Sequence, residues 1–375
     1  MASTAAVGAA ARYRVREASF QDYEQIIALQ ARYGLGTRSQ EDWTQMWLGN
    51  PLYRELRNTW PIGWVLENGE GRIVASIGNM PLPYEWNGEK VVASSGISWV
   101  AEPEYRGAAL LLLDMVVNQS GVDLYLNSTV TKESQEAIEA FQCLRVPVGR
   151  WDERAFWVTG HRGFAASLLL KKGWRAPAFW SYPLAAASLA RGLIDRRAAL
   201  KRSAAVEIRT AFDTRFEAFW KELRKQSRNQ LLAVRSLEVL NWHFGDSLRN
   251  SRIWIAAVSA REHLLAYAVF DRRDNPKYRL KRARLIDFQC LDGHEELLQP
   301  LLASALQKCR KEGIHMLENV GRWLEDGDVV AASAPYRSKL YAWSYFYRAD
   351  NPQLAERLKS PSAWAPSLYD GNASL

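Results

Sequence analysis

The sequence predicts a mixed α/β (α+β) fold made of two similar halves, each a mixed β-sheet flanked by helices. One order of elements, namely strand, two helices, strand hairpin, long strand, loop, helix, strand, helix and strand, runs through residues 13–159 and recurs in 206–347. The halves share this order and little residue identity. The 375 residues with 48% hydrophobic content are also sufficient to build more than one core.

The elements of the first half follow from hydrophobic periodicity, in which period 2 indicates strands and period 3.6 indicates helices. The steps Asn68-Gly69 and Asn87-Gly88 supply the positive φ angles of tight hairpin turns. We expect the last strand of this half to close the first sheet. The predicted strands are Tyr13–Ala18, Gly63–Leu66, Ile73–Gly78, Val91–Val100, Asp123–Leu126 and Arg154–Thr159. The predicted helices are Gln21–Arg32, Gln40–Trp47, Leu111–Asn118, Glu133–Leu144 and Gly163–Lys172.

The second half repeats this pattern after a linker that Pro177 and Pro183 interrupt. Leu184–Arg202, rich in Ala, Leu and Arg, predicts a packed linker helix, with a membrane-surface helix as the alternative. The predicted strands are Val206–Thr210, Ile253–Val258, Leu264–Phe270, Ala283–Leu291, Ile314–Leu317 and Leu340–Tyr347. The predicted helices are Phe216–Lys225, Leu237–Phe244 and Glu295–Glu312.

These elements divide the chain into five parts. Residues 1–12 form a flexible tail, 13–175 a first domain, 176–204 the linker, 205–350 a second domain, and 351–375 a C-terminal tail that packs on the body.

Composition excludes several classes of protein. No apolar run reaches the roughly 20 residues that span a bilayer, and no basic residue precedes a hydrophobic segment as in a secretory signal. Three cysteines and five histidines are scattered without metal-ligand spacing, so we expect a cytoplasmic protein without a metal. The net charge of +8 favours anionic partners. The basic cluster in 272–284 predicts a solvated hairpin arm, and since it lacks a stacking platform no nucleic acid is expected.

One loop predicts a binding site. Residues Glu102-Pro103-Glu104-Tyr105-Arg106-Gly107 follow an alternating strand and lead straight into an apolar helix. The first N–H groups of a helix lack partners inside it, and the helix dipole favours negative charge at this end. The loop is therefore a candidate site for phosphate oxygens.

The order of elements and this loop resemble the GNAT N-acyltransferase superfamily over Tyr13 to about Thr159. The second half resembles it in element order alone, which suggests a tandem protein with a degenerate second copy. The resemblance implies splayed sheets and a coenzyme A thioester, acetyl-CoA or another acyl-CoA, as co-substrate. It implies that Asn127 lies near the coenzyme, that the end of the strand contacts pantetheine, and that the loop binds the diphosphate. The strand-end and loop residues are Trp99, Val100, Ala101, Arg106, Gly107, Ala108, Ala109 and Leu110.

The chain departs from the family pattern at three places. Two small residues usually follow Arg-Gly, where this chain has Ala109 and Leu111. The family's general-acid tyrosine corresponds to Phe141, which cannot protonate a thiolate, so Tyr125, Cys143 or water would do so. In the second half the corresponding loop, 290–295, is acidic and would repel a diphosphate, so we expect this half to bind no coenzyme and to shape the acceptor site.

Acyl transfer to an amine requires a base and donors to the developing oxyanion, for which Glu102, Ser94, Ser95 and Tyr125 are candidates, with Asp287 in the second half. The predicted activity is acyl-CoA-dependent N-acylation of a small primary amine, either an amino sugar or an amino acid derivative. One alternative is an aminoacyl-tRNA-dependent (Fem-like) transferase, a class whose long helical hairpin this chain lacks. The other is a non-catalytic binding protein of GNAT fold. The oligomeric state stays open.

Overall fold

The computed structural model describes residues 13–174, 180–187, 200, 201, 203–340 and 342–375. The predicted tail 1–12 and most of the predicted helix Leu184–Arg202 lie outside these residues. Residues 180–187 are helical.

The described strands divide into those before and those after residue 200. The first group is β1 (Tyr13–Glu17), β2 (Gly63–Asn68), β3 (Ile73–Trp86), β4 (Glu89–Ala101), β5 (Leu124–Thr131), β6 (Leu144–Arg145) and β7 (Arg150–Val158). The second group is β8 (Glu207–Arg209), β9 (Leu232–Ala233), β10 (Ile253–Ala260), β11 (His263–Arg272), β12 (Arg282–Cys290), β13 (Met316–Gly321), β14 (Tyr336–Lys339) and β15 (Ala342–Ala349).

The helices alternate with these strands, and several begin at a side-chain cap such as Ser39 before the second helix or Asp213 before the seventh. Those of the first half are α1 (Tyr23–Arg32), α2 (Gln40–Leu48), α3 (Pro51–Leu56), α4 (Leu110–Val117), α5 (Lys132–Ala140) and α6 (His161–Lys171). Those of the second half are α7 (Thr214–Gln226), α8 (Leu237–His243), α9 (Gly245–Arg249), α10 (Leu298–Lys311), α11 (Val329–Ser333) and α12 (Pro352–Leu358).

The strands form two mixed sheets, which confirms the predicted fold class. The first sheet has the order β1-β2-β3-β4-β5-β15-β6, with β9 on the far end of β3, and the second has the order β14-β7-β13-β12-β11-β10-β8. The first half therefore contributes β7 to the second sheet, and the second half contributes β9 and β15 to the first. The prediction that Arg154–Thr159 closes the first sheet is wrong, because this segment lies in β7 and pairs with β13, while β15 takes its place beside β5.

The buried hydrophobic residues form three main clusters. The largest joins α1, α2, α7 and α8 between the facing sides of the two sheets. The outer side of the first sheet packs against α4 and α5, and the second sheet packs against α10. The first sheet thus has α1 and α2 on one face and α4 and α5 on the other.

The C-terminal tail is almost entirely buried between residues 363 and 374. Two backbone–backbone hydrogen bonds tie it to the body: Leu231 donates to the carbonyl of Ala363, and Tyr369 donates to the carbonyl of Ile286 in β12 at 3.2 Å. Among the residues that the structure describes, no helix is both long and apolar enough to cross a membrane.

The basic cluster in 272–284 is solvated only in part. Lys277, Arg279 and Lys281 are exposed as predicted. Arg284 is buried instead, and it pairs with the fully buried Glu318 at 2.6 Å, because β12 and β13 bring these side chains together. Much of this charge is therefore neutralised inside the protein.

Candidate functional site

The first sheet opens between β4 and β5. These parallel strands pair only at Ala93 with Leu124 and at Ser94 with Tyr125. β4 continues beside β3 as far as Ala101, and β5 continues beside β15. From residue 95 to residue 101 the edge of β4 that faces β5 has no partner among the described strands. We call this opening the β4–β5 gap, and those of its backbone groups that no side chain binds are available to a ligand.

Polar side chains cross the inner end of the gap at the carbonyl oxygen of Gly96. This oxygen accepts hydrogen bonds from Asn127 Nδ2 at 3.4 Å and from Asn372 Nδ2 at 3.3 Å. The Asn372 amide also donates to Thr129 Oγ1 at 2.8 Å, and its oxygen accepts from the Ser128 N–H at 2.9 Å. The C-terminal tail thereby links β4 to β5 where the two strands part.

The hydroxyl of Tyr125 lies at the same place. It accepts from Asn127 Nδ2 at 3.3 Å, and a Cβ at position 96 would lie 3.5 Å from it. Burial raises the pKa of Tyr125, so the hydroxyl keeps its proton at neutral pH. That proton has no acceptor among the described residues, so the hydroxyl is free to donate to a ligand in the gap.

The candidate anion loop follows the outer end of β4. The amides of Ala109, Leu110 and Leu111 donate to carbonyls within the same helical turns. The amides of Gly107 and Ala108 have no acceptor among the described residues. Fewer amides are therefore free than the prediction for Arg106 to Leu110 implied. Two adjacent N–H groups remain available to phosphate oxygens.

The surroundings of this loop suit an anion. The Arg106 side chain is exposed and has no ion pair within the described part of the chain, and its own amide makes only a long bond of 3.5 Å to Pro103. A Cβ on Gly107 would meet nothing within 4 Å. Leu110 and Leu111 are 40% and 45% exposed, so the unusual leucine points to solvent rather than into the loop.

A cavity of about 250 Å³ lies on the α1 and α2 side of the first sheet. It adjoins the gap, because Thr129 and Asn372 line it as well. Its walls are mostly aliphatic and aromatic, and no described residue that lines it is an aspartate, a glutamate or a histidine. Its lining includes Ile26, Arg38, Trp43, Ser76, Ile97 and Ser98.

Glu102 directly follows the outer end of β4, but its contacts do not suit a catalytic base. Its carboxylate is paired with Arg32 and, at 2.5 Å, with Arg72. The Arg72 hydrogen bond, together with Arg32, lowers the pKa of Glu102 despite its burial. A carboxylate held by two guanidinium groups is a poor base. This geometry does not support the predicted catalytic role, and it gives Glu102 the task of tying α1 and the β2–β3 turn to the end of β4.

The serine candidates are buried in the sheet. The Ser94 hydroxyl donates to the carbonyl of Val116 in α4 at 3.4 Å, and the Ser95 hydroxyl has no partner among the described residues. Neither lines the cavity, whereas Ser76 and Ser98 do. Burial raises the pKa of Cys143 to about 12, so this thiol stays protonated and unreactive near neutral pH.

The second sheet opens in the same way, but the tail occupies its opening. β12 pairs with β13 only over Arg282–Arg284. Beyond that point Asp287 is buried and paired with Arg235 at 2.8 Å, while Ser367 donates to it at 2.8 Å. Asp287 is therefore a structural ion-pair partner rather than a catalytic group. No group of three or more metal-ligating side chains is found among the described residues.

Sequence reasoning missed the contributions of Arg38 and Ser76, and for Asn372 it offered only the prediction that its tail packs on the body and the hypothesis, from the composition of that tail, that it lines the acceptor pocket. Asn372 reaches the gap from a segment more than 240 positions away from Ser128, and nothing in its local sequence indicates this. Arg38 lies in the turn between two predicted helices, where an arginine is ordinarily solvated. Ser76 carried a weak signal, since it is a hydroxyl inside an otherwise apolar strand.

Solved structures match the chain in fold, while no protein-family model and no curated protein matches it. A GCN5-related N-acetyltransferase from Kribbella flavida is 13% identical with a TM-score of 0.53, over 91% of this chain and 71% of that one. The N-myristoyltransferase of Saccharomyces cerevisiae, solved with myristoyl-CoA and inhibitors, is 12% identical with a TM-score of 0.55, over 94% and 86%. A probable N-acyltransferase from Enterococcus faecalis is 11% identical with a TM-score of 0.52, over 90% and 73%. At such identities the likeness shows the fold alone, which is the GNAT fold.

Proposed function

We propose that this chain of GNAT fold is an acyl-CoA-dependent N-acyltransferase acting on a small primary amine. The observation that carries the proposal is the continuity of three features: the free amides of Gly107 and Ala108, the β4–β5 gap, and the cavity behind it. Gly96 and Ala101 are about 17 Å apart along an extended strand, a distance that an extended pantetheine arm can span. The solved neighbours, which include an enzyme with bound myristoyl-CoA, support this assignment.

In this arrangement each part of the thioester has a partner. The diphosphate binds the N–H groups of Gly107 and Ala108 beside Arg106. Pantetheine lies along the free edge of β4, at Trp99, Val100 and Ala101, and its thioester reaches Gly96. The second half binds no coenzyme, because the tail takes the corresponding edge of β12.

The reaction joins the amine nitrogen to the acyl carbon and breaks the carbon–sulfur bond. The amine enters from the cavity as an ammonium ion and loses one proton to water, since no described aspartate, glutamate or histidine lines the cavity. The neutral amine then attacks the thioester carbonyl. Collapse of the tetrahedral adduct expels the thiolate, and the remaining extra proton on nitrogen ends on sulfur to give free coenzyme A. The products are an amide, a thiol and the one proton released to water, so atoms and charge balance.

Tyr125 is the residue that we assign to the departing sulfur, with Asn127 orienting its hydroxyl. Tyr125→Phe is expected to lower kcat by about 10- to 100-fold, because the hydroxyl no longer protonates the thiolate. The KM for the thioester should change little. Steady-state release of thiol measures both constants.

Tyr347→Phe is the matched control, because this tyrosine lies in the same sheet and spends its hydroxyl on the carbonyl of Leu358 at 3.0 Å. Equal kcat values for the two variants would exclude Tyr125 as the proton donor.

The direct test of the function follows free thiol and acylated product together. The purified chain is incubated with acetyl-CoA or longer acyl-CoAs and a panel of amino acids and amino sugars. Amine-dependent thiol release, with an amide product of the expected mass, is the predicted result. Saturable coenzyme binding without product would instead favour the alternative of a non-catalytic binding protein, which the Asn372 bridge across the gap also fits.

A further inference from the structure

One cationic side chain, that of Arg38, lines the cavity without a direct ion-pair partner among the described residues. Arg38 lies in the turn between α1 and α2 and is half-buried. Its backbone is fixed, since its carbonyl accepts from the Tyr23 hydroxyl at 2.7 Å and the next residue, Ser39, caps α2. Its guanidinium has no hydrogen bond or ion pair among the described residues.

The neighbouring charges are already paired with one another. Arg249 binds Asp42 at 2.5 Å, Arg252 binds Asp246, and Arg273 binds Asp271 at 2.6 Å. Each pair joins one cation to one anion. Arg38 is therefore left without a direct ion-pair partner among the described residues, and burial disfavours its charged form, which lowers its pKa. A desolvated charge without a partner is costly, and this cost is recovered when an anionic ligand binds.

The other residues that line the cavity indicate the chemistry of the uncharged part of that ligand. Ile26, Trp43 and Ile97 provide apolar walls, which suit a hydrocarbon or aromatic side chain. Ser76 is 2% exposed and lines the cavity, and its hydroxyl has no partner among the described residues, so it can bind a polar atom of the ligand. A sugar would leave its several hydroxyl groups against apolar walls.

The size of the cavity narrows the choice further. Its volume of about 250 Å³ is slightly below the range of about 300–1,000 Å³ typical of sites for drug-sized molecules. It suits a molecule no larger than one amino acid. We propose that the acceptor is a small amine with an apolar body and a carboxylate, an apolar amino acid being the simplest of this class, and that Arg38 binds the carboxylate. This inference rests on the proposed function where it calls the ligand an acceptor, whereas the binding of a carboxylate by Arg38 does not depend on that function.

The test compares leucine and phenylalanine with their uncharged amides. Each is titrated calorimetrically into the intact chain, with and without coenzyme A. The amino acids are expected to bind about 10-fold or more tightly than the amides, as for hydrogen bonds to a charged group. Arg38→Gln should remove this preference by weakening the binding of the acid alone. Arg57→Gln, at an exposed arginine outside the cavity, should keep it.

Two outcomes would overturn the inference. Equal affinity for acids and amides in the wild-type chain is the first. The second is an Arg38-dependent preference for succinyl-CoA over acetyl-CoA with no effect of the amine's carboxylate, which would assign the charge to the acyl group. Arg38-dependent binding of amino acids in a chain that binds no coenzyme A would refute the proposed function and leave this site standing.

Discussion

Gly107→Glu is expected to weaken coenzyme A binding by at least about 100-fold while leaving the fold intact. The new carboxylate would lie beside the two amides that we assign to the diphosphate, and hydrogen bonds to a charged group contribute about 1.5–3 kcal/mol each. The fold should tolerate the change, because a Cβ at this position meets nothing within 4 Å and the residue has no positive φ. Calorimetric titration with coenzyme A measures the loss.

Two control variants distinguish the effect of the added charge from the effect of replacing glycine. Gly107→Ala adds only a methyl group in open space and should retain most of the affinity. Gly69→Glu adds the same charge at another exposed glycine with open surroundings, and it should bind the coenzyme normally. If Gly107→Glu binds coenzyme A as tightly as Gly69→Glu does, the loop is not the diphosphate site.

Arg235→Met is expected to lower the free energy of unfolding by about 3–5 kcal/mol, the range for removing one partner of a buried ion pair. Arg235 is 2% exposed and holds Asp287 and Asp370, which are 0% and 4% exposed. Burial alone would favour a neutral Asp287, but the attraction of Arg235 lowers its pKa, so the substitution leaves an unpaired buried carboxylate. Urea denaturation measures the effect.

The matched control is Arg54→Met, which removes an exposed pair with Glu238 and should cost less than about 1 kcal/mol. Asp370→Asn provides a second comparison. Burial raises the pKa of Asp370 in spite of Arg235, so a neutral replacement should cost less there than the loss of Arg235. Equal denaturation midpoints for Arg235→Met and Arg54→Met would show that the buried network does not hold the tail.

This network also connects stability to the site. The tail residue Asp370 is anchored at Arg235 beside the second sheet, and two residues later Asn372 bridges β4 and β5 of the first sheet. Release of the tail should therefore change the gap as well as the stability. The tail thus touches the openings of both sheets.

The local elements were predictable from the sequence because periodicity and turn residues act over short distances. The hairpin at Asn87-Gly88 and the strand-to-helix step at Arg106 are examples, and both occur where expected. The exchange of β7 and β15 was not predictable. A strand's own residues do not specify which sheet it joins when both sheets offer an apolar face and a free edge.

The candidate site was likewise predictable in its local features and not in its long-range contacts. The position of the loop at the end of β4 followed from local sequence, but the number of its free amides depends on turn geometry that residue types do not determine. The ion pairing of the Glu102 carboxylate depends on Arg32 and Arg72, which lie 70 and 30 positions away in the sequence. The bridge made by Asn372 depended on the path of the whole chain.

A crystal structure of the intact chain with saturating coenzyme A tests the proposed coenzyme site most directly. We predict that the diphosphate lies against the N–H groups of Gly107 and Ala108, with pantetheine in the β4–β5 gap and the sulfur near the Tyr125 hydroxyl. A coenzyme bound elsewhere, or a gap that stays closed by Asn372 at saturation, would contradict it.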